Sequence, residues 1–519
     1  MNKNRKICCS SVCGGITLAI GILLLPMTVI IVDVIVEHAV ILKPGTIAYP
    51  VWVEVPVPFY LQFWIWDLQN PDEFLLGAKP RLEQKGPYTW TEYRPKDEST
   101  IVHNDNGTVT FRNKKQFIFN RDMSVGPQTD TVTTINIAVF AVAHIIRYQP
   151  RRRKALWNII HQRSGAQPIV TTTVEEILWG YEDDYLKLAQ ELLGEDVIPL
   201  THFGIMLGQN NSDDGLWNVF TGETDIMKVN LIEKWNGMTE LPYWTTPEAR
   251  MINGTDGTVQ HPFVKKEETF YAFIPLACRT GAAVYEEDRK YHRVPVLHYV
   301  QPDWLFASPD INPDNIGFCV PDEFTCPPSG LVNASVCFFH APVFLSTPHF
   351  LYTEQSVLDM VEGMAPNKEE HQIAVDVEPI SGATMKGDIR AQVNVFIRDY
   401  DFVTGLETIP TAYFPILWQN ESAGVPEDIA REYFLKTRLP LILIVVITSL
   451  LLVGGIGLLV WLGILLYDKN KQDPKMISNK SEHALEGKVN PSVQVKDEKK
   501  ADHDPYEDIQ KSDSKMDVL

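Results

Sequence analysis

The stretch RYQPRRRKALW, residues 147–157, sets Arg147, Arg151, Arg152, Arg153 and Lys154 within eight positions of a chain whose formal charge is −20. Guanidinium groups donate paired hydrogen bonds to phosphate and carboxylate, so such a cluster has the chemistry of an anion-recognition site. Its field is local, reaching about one Debye length, ~8–10 Å. The alternative is a helix face whose charges are simply solvated. Local counting does not choose between these readings.

Cysteine supplies a second chemistry. Of seven cysteines, Cys8, Cys9 and Cys13 border an apolar run at the amino terminus, while Cys278, Cys319, Cys326 and Cys337 lie far from it. The second set is even in number and reads as two disulfides of an oxidising compartment. Four cysteines allow three connectivities; the short loop of CVPDEFTC favours Cys319 with Cys326, leaving Cys278 with Cys337. A zinc site is the rival, but no Cys-x-x-Cys spacing supports it. Cys8 and Cys9 are juxtamembrane candidates for S-acylation. Asn106, Asn210, Asn253, Asn333 and Asn420 each open an Asn-x-Ser/Thr triplet, the acceptor pattern of glycosylated surface loops.

Catalytic patterns are missing. The sequence holds no Gly-x-Ser-x-Gly elbow, His-Glu-x-x-His pair, dinucleotide-binding glycine turn or phosphate loop. Glu286-Glu287-Asp288 and Glu369-Glu370-His371 read as solvated polar stretches, and His161 and His349 as packed histidines. An enzyme is therefore disfavoured, and no cofactor or metal is expected.

The elements that must position these residues begin at the membrane. Residues 7–32 and 439–467 carry no charge. At about 1.5 Å per residue each run exceeds a ~30 Å hydrocarbon core. The first, preceded by Lys3, Arg5 and Lys6, reads as an uncleaved signal anchor with a cytosolic amino terminus. Two spans put both ends in one compartment, so the five triplets fall on the far side. The expected organisation is a cytosolic tail 1–6, a span 7–32, an ectodomain 33–438, a span 439–467 and a cytosolic tail 468–519 too polar to fold.

Strand signals within the ectodomain are strongest in residues 56–66, 107–113, 115–121 and 391–400. In the last, Val393, Val395 and Ile397 alternate with Asn394, Phe396 and Arg398, as in a half-buried strand. FWIW, apolar on both faces, predicts a strand covered on both sides. Helices concentrate between 150 and 194. One opens at Pro150 with Leu156, Ile159 and Ile160 as its apolar stripe; a second follows a capping box at Thr173 and Glu176; a third runs from Asp184 to Leu193, with Leu186, Leu192 and Leu193 on a face, and stops at Gly194. The basic cluster thus opens a helical insertion on a strand-rich scaffold.

NPDEFLLG (70–77), KGPYTW (85–90), EEILWGY (175–181), EKWNG (233–237), MINGTDG (251–257), NIGFCVP (315–321), STPHF (346–350) and MAPNKEEH (364–371) fall in an order that resembles the class B scavenger receptors across about residues 5–465. RDMSVG (121–126), CVPDEFTC and the Cys8-Cys9 pair look most like the lysosomal branch of that family. The resemblance implies an α+β membrane protein: an antiparallel β-barrel ectodomain with a helical apex bundle at about 145–195 and an internal lipid tunnel, held by two transmembrane helices. It agrees with Cys278–Cys337 and Cys319–Cys326 as disulfides, and lacks a counterpart of the further cysteine pair of the fatty acid branch.

It further implies that the head recruits anionic ligands, with Arg163 near an apex lysine of some members, and that lipid is handed through the tunnel to the membrane. Partners so implied are lipids, lipoprotein particles and the membrane itself, in the plasma or endolysosomal membrane; nucleic acid is not among them, and homo-oligomerisation is left open. The alternative is an endolysosomal sorting or adhesion receptor that escorts a lysosomal enzyme or binds another protein. Two departures weigh on that alternative. No histidine lies between 145 and 160, although His144 and His161 flank the interval, and the ending KSDSKMDVL has Ser514 and Val518 where an acidic dileucine signal needs an acid and a leucine. Tyr506-Glu-Asp-Ile509 is a candidate tyrosine-based endocytic signal.

Overall fold

The computed structural model describes residues 3–321 and 325–472, with side chains from 11 to 468 outside that gap. Expectations for Cys8, Cys9 and the carboxy-terminal signal therefore lie outside the described side chains. Among the described residues two helical runs are long and apolar enough to cross a membrane, Ser11–Val40 within helix Lys3–Val40 and Glu427–Asp468, which runs into helix Leu439–Gln472. The first continues past Asp33 to Val40, because VIVEHAV offers no helix breaker.

The chain divides into two compact units. One pairs the first helix up to Leu24 with the second from Ile447. There Gly14 approaches Leu458, Gly21 approaches Leu452 and Gly455 approaches Leu18; a Cβ on Gly455 would stand 2.7 Å from the Leu18 backbone nitrogen. Small residues let apolar helices pack closely where no hydrophobic force separates them from lipid.

The other unit, Leu25–Val446, is built on an antiparallel sheet. Its hydrogen-bonded order is Phe270–Ile274, Arg279–Tyr291, Val294–Val300, Ala374–Val377, Thr384–Ile397, Ala412–Gly424, Phe59–Leu68, Leu82–Tyr93 and Gln116–Asn120, with Val343–Ser346 and Leu331–Asn333 added beside Thr384–Ile397. This order has two ends, so hydrogen bonding between the described strands does not close it into a barrel. FWIW is covered on both faces as its composition predicts: Phe63, Ile65 and Trp66 are buried, and Trp64 stacks on its cross-strand partner Trp418 with ring centroids 3.7 Å apart. The half-buried reading of 391–400 fails. Asn394 is as buried as Ile397, because its amide donates to Ser346 Oγ at 3.0 Å and its Oδ1 accepts from Gln392 at 2.9 Å. A satisfied polar pair can occupy an interior face.

The helical insertion shares one apolar core with this sheet, through Phe140, Trp157, Ile177 and Leu178 on one side and Phe63, Trp66 and Phe414 on the other. It starts earlier than expected, with helix Ile137–Ile146 capped by Asn136 Oδ1. A second core gathers Trp52, Phe111, Trp217 and Trp244 around a four-stranded sheet. Disulfides join Cys278 to Cys337 and Cys319 to Cys326, which removes all four thiols as metal ligands.

Candidate functional site

The basic cluster lies on helix Arg151–Ser164, which opens at Pro150 without a side-chain cap and closes on Gly165 in a left-handed conformation. Its inward side is held by the segment 402–404. His161 Nε2 donates to the Thr404 carbonyl at 3.1 Å, Gln162 Nε2 donates to Thr404 Oγ1 at 2.6 Å, and Asn158 Oδ1 accepts from the Thr404 backbone N–H at 2.8 Å. Trp157 is buried edge-on against Tyr185, ring centroids 5.4 Å apart.

This docking keeps Ile160 of the expected apolar stripe, which packs against the core, and corrects the other two. Trp157 and His161 are the buried residues of the helix, whereas Leu156 is 57% and Ile159 51% exposed. At helical spacing Arg152, Leu156, Ile159 and Arg163 form one outward row of basic and apolar residues, and the exposed Tyr148 lies in the turn that precedes the helix. Sequence reasoning missed Tyr148 and the outward turn of Leu156 and Ile159; aromatic and aliphatic types beside arginine were the available signal.

The six cationic candidates separate into two groups. Arg151, Arg152, Arg153 and Arg163 are exposed, and no carboxylate among the described residues lies within 4.0 Å of them. Arg153 bonds only Gln149, at 2.9 Å. Arg147 is instead half-buried, stacked 3.9 Å over the Tyr148 ring and donating to the Tyr148 hydroxyl and the His144 carbonyl. Burial pushes its guanidinium below the ordinary arginine range. Lys154 is partly buried, its ammonium 4.8 Å over the ring of Phe402. These two are spent on local structure and leave the exposed cluster.

The flanking histidines are both packed. His144 Nδ1 lies 2.9 Å from the Tyr400 hydroxyl, and burial, with Arg147 and Arg398 nearby, pushes its pKa down to about 3. His161 is also pushed down by burial, against the opposing hydrogen bond to Thr404. Neither presents an exposed imidazole near the basic row.

A cleft of about 570 Å³ adjoins the insertion, lined by Trp90, Phe117, Phe119, Trp179 and Met206 with Glu175 at its polar side. Trp90 and Trp179 meet edge to face at 5.6 Å, and the Trp179 indole N–H is buried without a protein partner. The volume is within the ~300–1,000 Å³ range of small-ligand sites. These residues come from segments far apart in the chain, and nothing in the sequence marked them as a site, although KGPYTW and EEILWGY contain three of them.

The glycosylation triplets are unequal. Asn106 and Asn210 are exposed and Asn253 is half-buried. Asn210 also pairs with the edge strand, accepting from the Phe117 N–H at 2.9 Å and donating to its carbonyl at 3.2 Å. Asn333 and Asn420 depart from the expectation of five surface loops: each is 7% exposed within a strand, and their amides donate to the Val320 carbonyl and Asp388.

An acidic chain with two terminal apolar helices, a large antiparallel sheet, disulfides and an exposed cationic helix has the make-up of a two-span membrane protein. Residues 12–466 match the CD36 family, and the chain belongs to it. It is similar to scavenger receptor class B member 1 of Sus scrofa, 33% identical over 422 residues, 81% of each chain. It is also similar to lysosome membrane protein 2 of Homo sapiens, 34% identical over 434 residues, 82% of this chain and 88% of that one.

Proposed function

We propose that this protein is a receptor that recruits anionic ligands, among them lipoproteins, phospholipid surfaces and modified proteins, at helix Arg151–Ser164. It then transfers fatty acid, cholesterol or phospholipid through an apolar passage of the ectodomain to the membrane. The observation that carries the reading is the outward row of unpaired arginines interleaved with Leu156 and Ile159 in a chain of formal charge −20. Phosphate-bearing amphipathic surfaces match such a row twice, since guanidinium binds the head group and the aliphatic side chains meet the acyl boundary. Each buried methylene of a transferred chain adds about 0.8 kcal/mol, so the aromatic-walled cleft at Trp90 and Trp179 suits an acyl chain. In this reading charge selects the carrier and burial moves the lipid.

Both termini are cytosolic in this account and the segment between the spans is extracellular or lumenal, in a plasma or endolysosomal membrane. No catalytic step is involved. Cells expressing the protein should take up labelled cholesterol from lipoprotein saturably. Reversal of Arg151, Arg152, Arg153 and Arg163 to Glu should cut that uptake about tenfold at equal surface expression, equivalent to ~1.4 kcal/mol of recruitment. Equal uptake by the reversed protein would remove the helix from the mechanism.

A further inference from the structure

Several partly buried arginines of this protein are matched by acid, while Arg147 and Arg250 are held by carbonyl and aromatic groups. Arg94 Nη2 lies 2.6 Å from Glu92 and 2.8 Å from Glu421, Arg438 pairs with the fully buried Glu378, and Arg390 lies 3.6 Å from Asp388. Arg279 is the arginine buried most completely among the described residues. It opens strand Arg279–Tyr291 immediately after the disulfide-bonded Cys278 and is 5% exposed. Among the described residues no carboxylate reaches it within 4.0 Å.

Its guanidinium carbon lies 3.9 Å from the ring centroid of Phe318 and 5.1 Å from that of Phe306, and Nη2 donates to the Leu305 carbonyl at 3.2 Å. The Nε–H is buried and has no partner. Aromatic faces and one carbonyl soften the loss of hydration but bring no net negative charge, whereas buried ions are ordinarily paired. Burial accordingly pushes the Arg279 pKa down to about 9.

Beside the guanidinium is a cavity of about 20 Å³ whose walls include Ser308, Asn315, Phe318, Leu331 and Asn333. A volume of this size is on the scale of one small particle. The Asn315 amide is already committed to the Ala307 carbonyl at 2.7 Å and the Asn333 amide to the Val320 carbonyl at 3.3 Å, so neither of these described wall residues supplies a negative charge.

We propose that the cavity beside Arg279 binds a single halide-sized anion, chloride in physiological media, as the counter-ion of this guanidinium. The ion joins the start of strand Arg279–Tyr291, the 3-10 turn Pro313–Phe318 and strand Leu331–Asn333 around one charge, close to both disulfides. Its effect is bracing of this part of the ectodomain, independent of the cationic helix.

Thermal unfolding of the full-length protein in detergent, followed by tryptophan fluorescence at fixed ionic strength, tests this with sodium chloride against sodium gluconate. Tm should rise saturably by about 2 °C as chloride replaces gluconate, since a ligand bound only by the native state stabilises it. Arg279→Gln should abolish the chloride dependence whatever its own Tm. Equal wild-type curves in the two salts, or an Arg279→Gln variant that keeps the same dependence, would overturn the proposal. Anomalous diffraction from bromide-grown crystals of the wild-type chain reads the site without a variant: a bromide peak against the guanidinium supports it, and water at that position refutes it.

Discussion

Two helices of the same insertion obey opposite rules. Helix Asp184–Leu193 begins at Asp183, whose carboxylate accepts from the Leu186 N–H at 2.9 Å, carries Asp184 in its first turn, and buries Tyr185, Leu186 and Ala189. Its neighbour Val174–Trp179 has a complete capping box between Thr173 and Glu176. Helix Arg151–Ser164 has no side-chain cap, three arginines in the turn where the helix dipole disfavours positive charge, and aliphatic residues facing outward. Local rules are kept where a helix only has to fold and broken where a surface is wanted for something else. The recognition role proposed for the second helix rests on that contrast, between a helix with capped, dipole-matched ends and one without them.

Substitutions on the inward side of the basic helix should have the largest effect on stability. Trp157→Ala removes a buried indole packed against Tyr185 and should cost about 3–5 kcal/mol in equilibrium unfolding. A cost under ~1 kcal/mol would mean that the helix is not docked through this side chain.

Acid should be next. The unfolded histidine pKa is about 6.5 and that of folded His144 about 3, so the unfolded chain takes up the proton first and stability is lost as pH falls from about 6.5 toward 3. At pH 5 this amounts to about 2 kcal/mol. His349 and His371, stacked 4.2 Å apart and pushed down by burial to about 3 and about 4, act in the same direction. His144→Asn should flatten the decline between pH 7 and 5; an unchanged slope would exclude His144 as a contributor.

Asp183→Ala in the well-capped helix should cost about 1–2 kcal/mol. The paired change Leu156→Ser and Ile159→Ser, on the outward row, should stay within about 0.5 kcal/mol while weakening attachment to phospholipid vesicles. A large loss of stability from that pair would place these side chains inside, and the contrast between the two helices would dissolve.

The legible parts of the molecule are those in which neighbouring residues suffice. Apolar runs without charge marked the membrane helices, Thr173 and Glu176 marked a helix start, and the short spacing of Cys319 and Cys326 marked their bond. Helix Ile137–Ile146 escaped because IAVFAVAHII is apolar on every side and shows no period. Leu156 and Ile159 have the same spacing whether they face the core or solvent; Trp157 and the contacts to Thr404 decide, and Thr404 is remote in sequence. Asn394 and Gln392 resemble a solvated strand face until Ser346 is brought beside them. The aromatic cleft and the partnerless guanidinium of Arg279 likewise depend on segments that only the fold unites.

The account turns on the exposed arginines being kept for binding at the expense of helix stability. Arg151→Glu, Arg152→Glu and Arg153→Glu combined would replace three charges that oppose the helix dipole with three that favour it. Measured on the full-length protein against phosphatidylserine vesicles at physiological salt, this variant should bind at least about tenfold more weakly while unfolding about 1 kcal/mol later than the wild type. Undiminished vesicle binding by a properly folded variant would contradict the central claim.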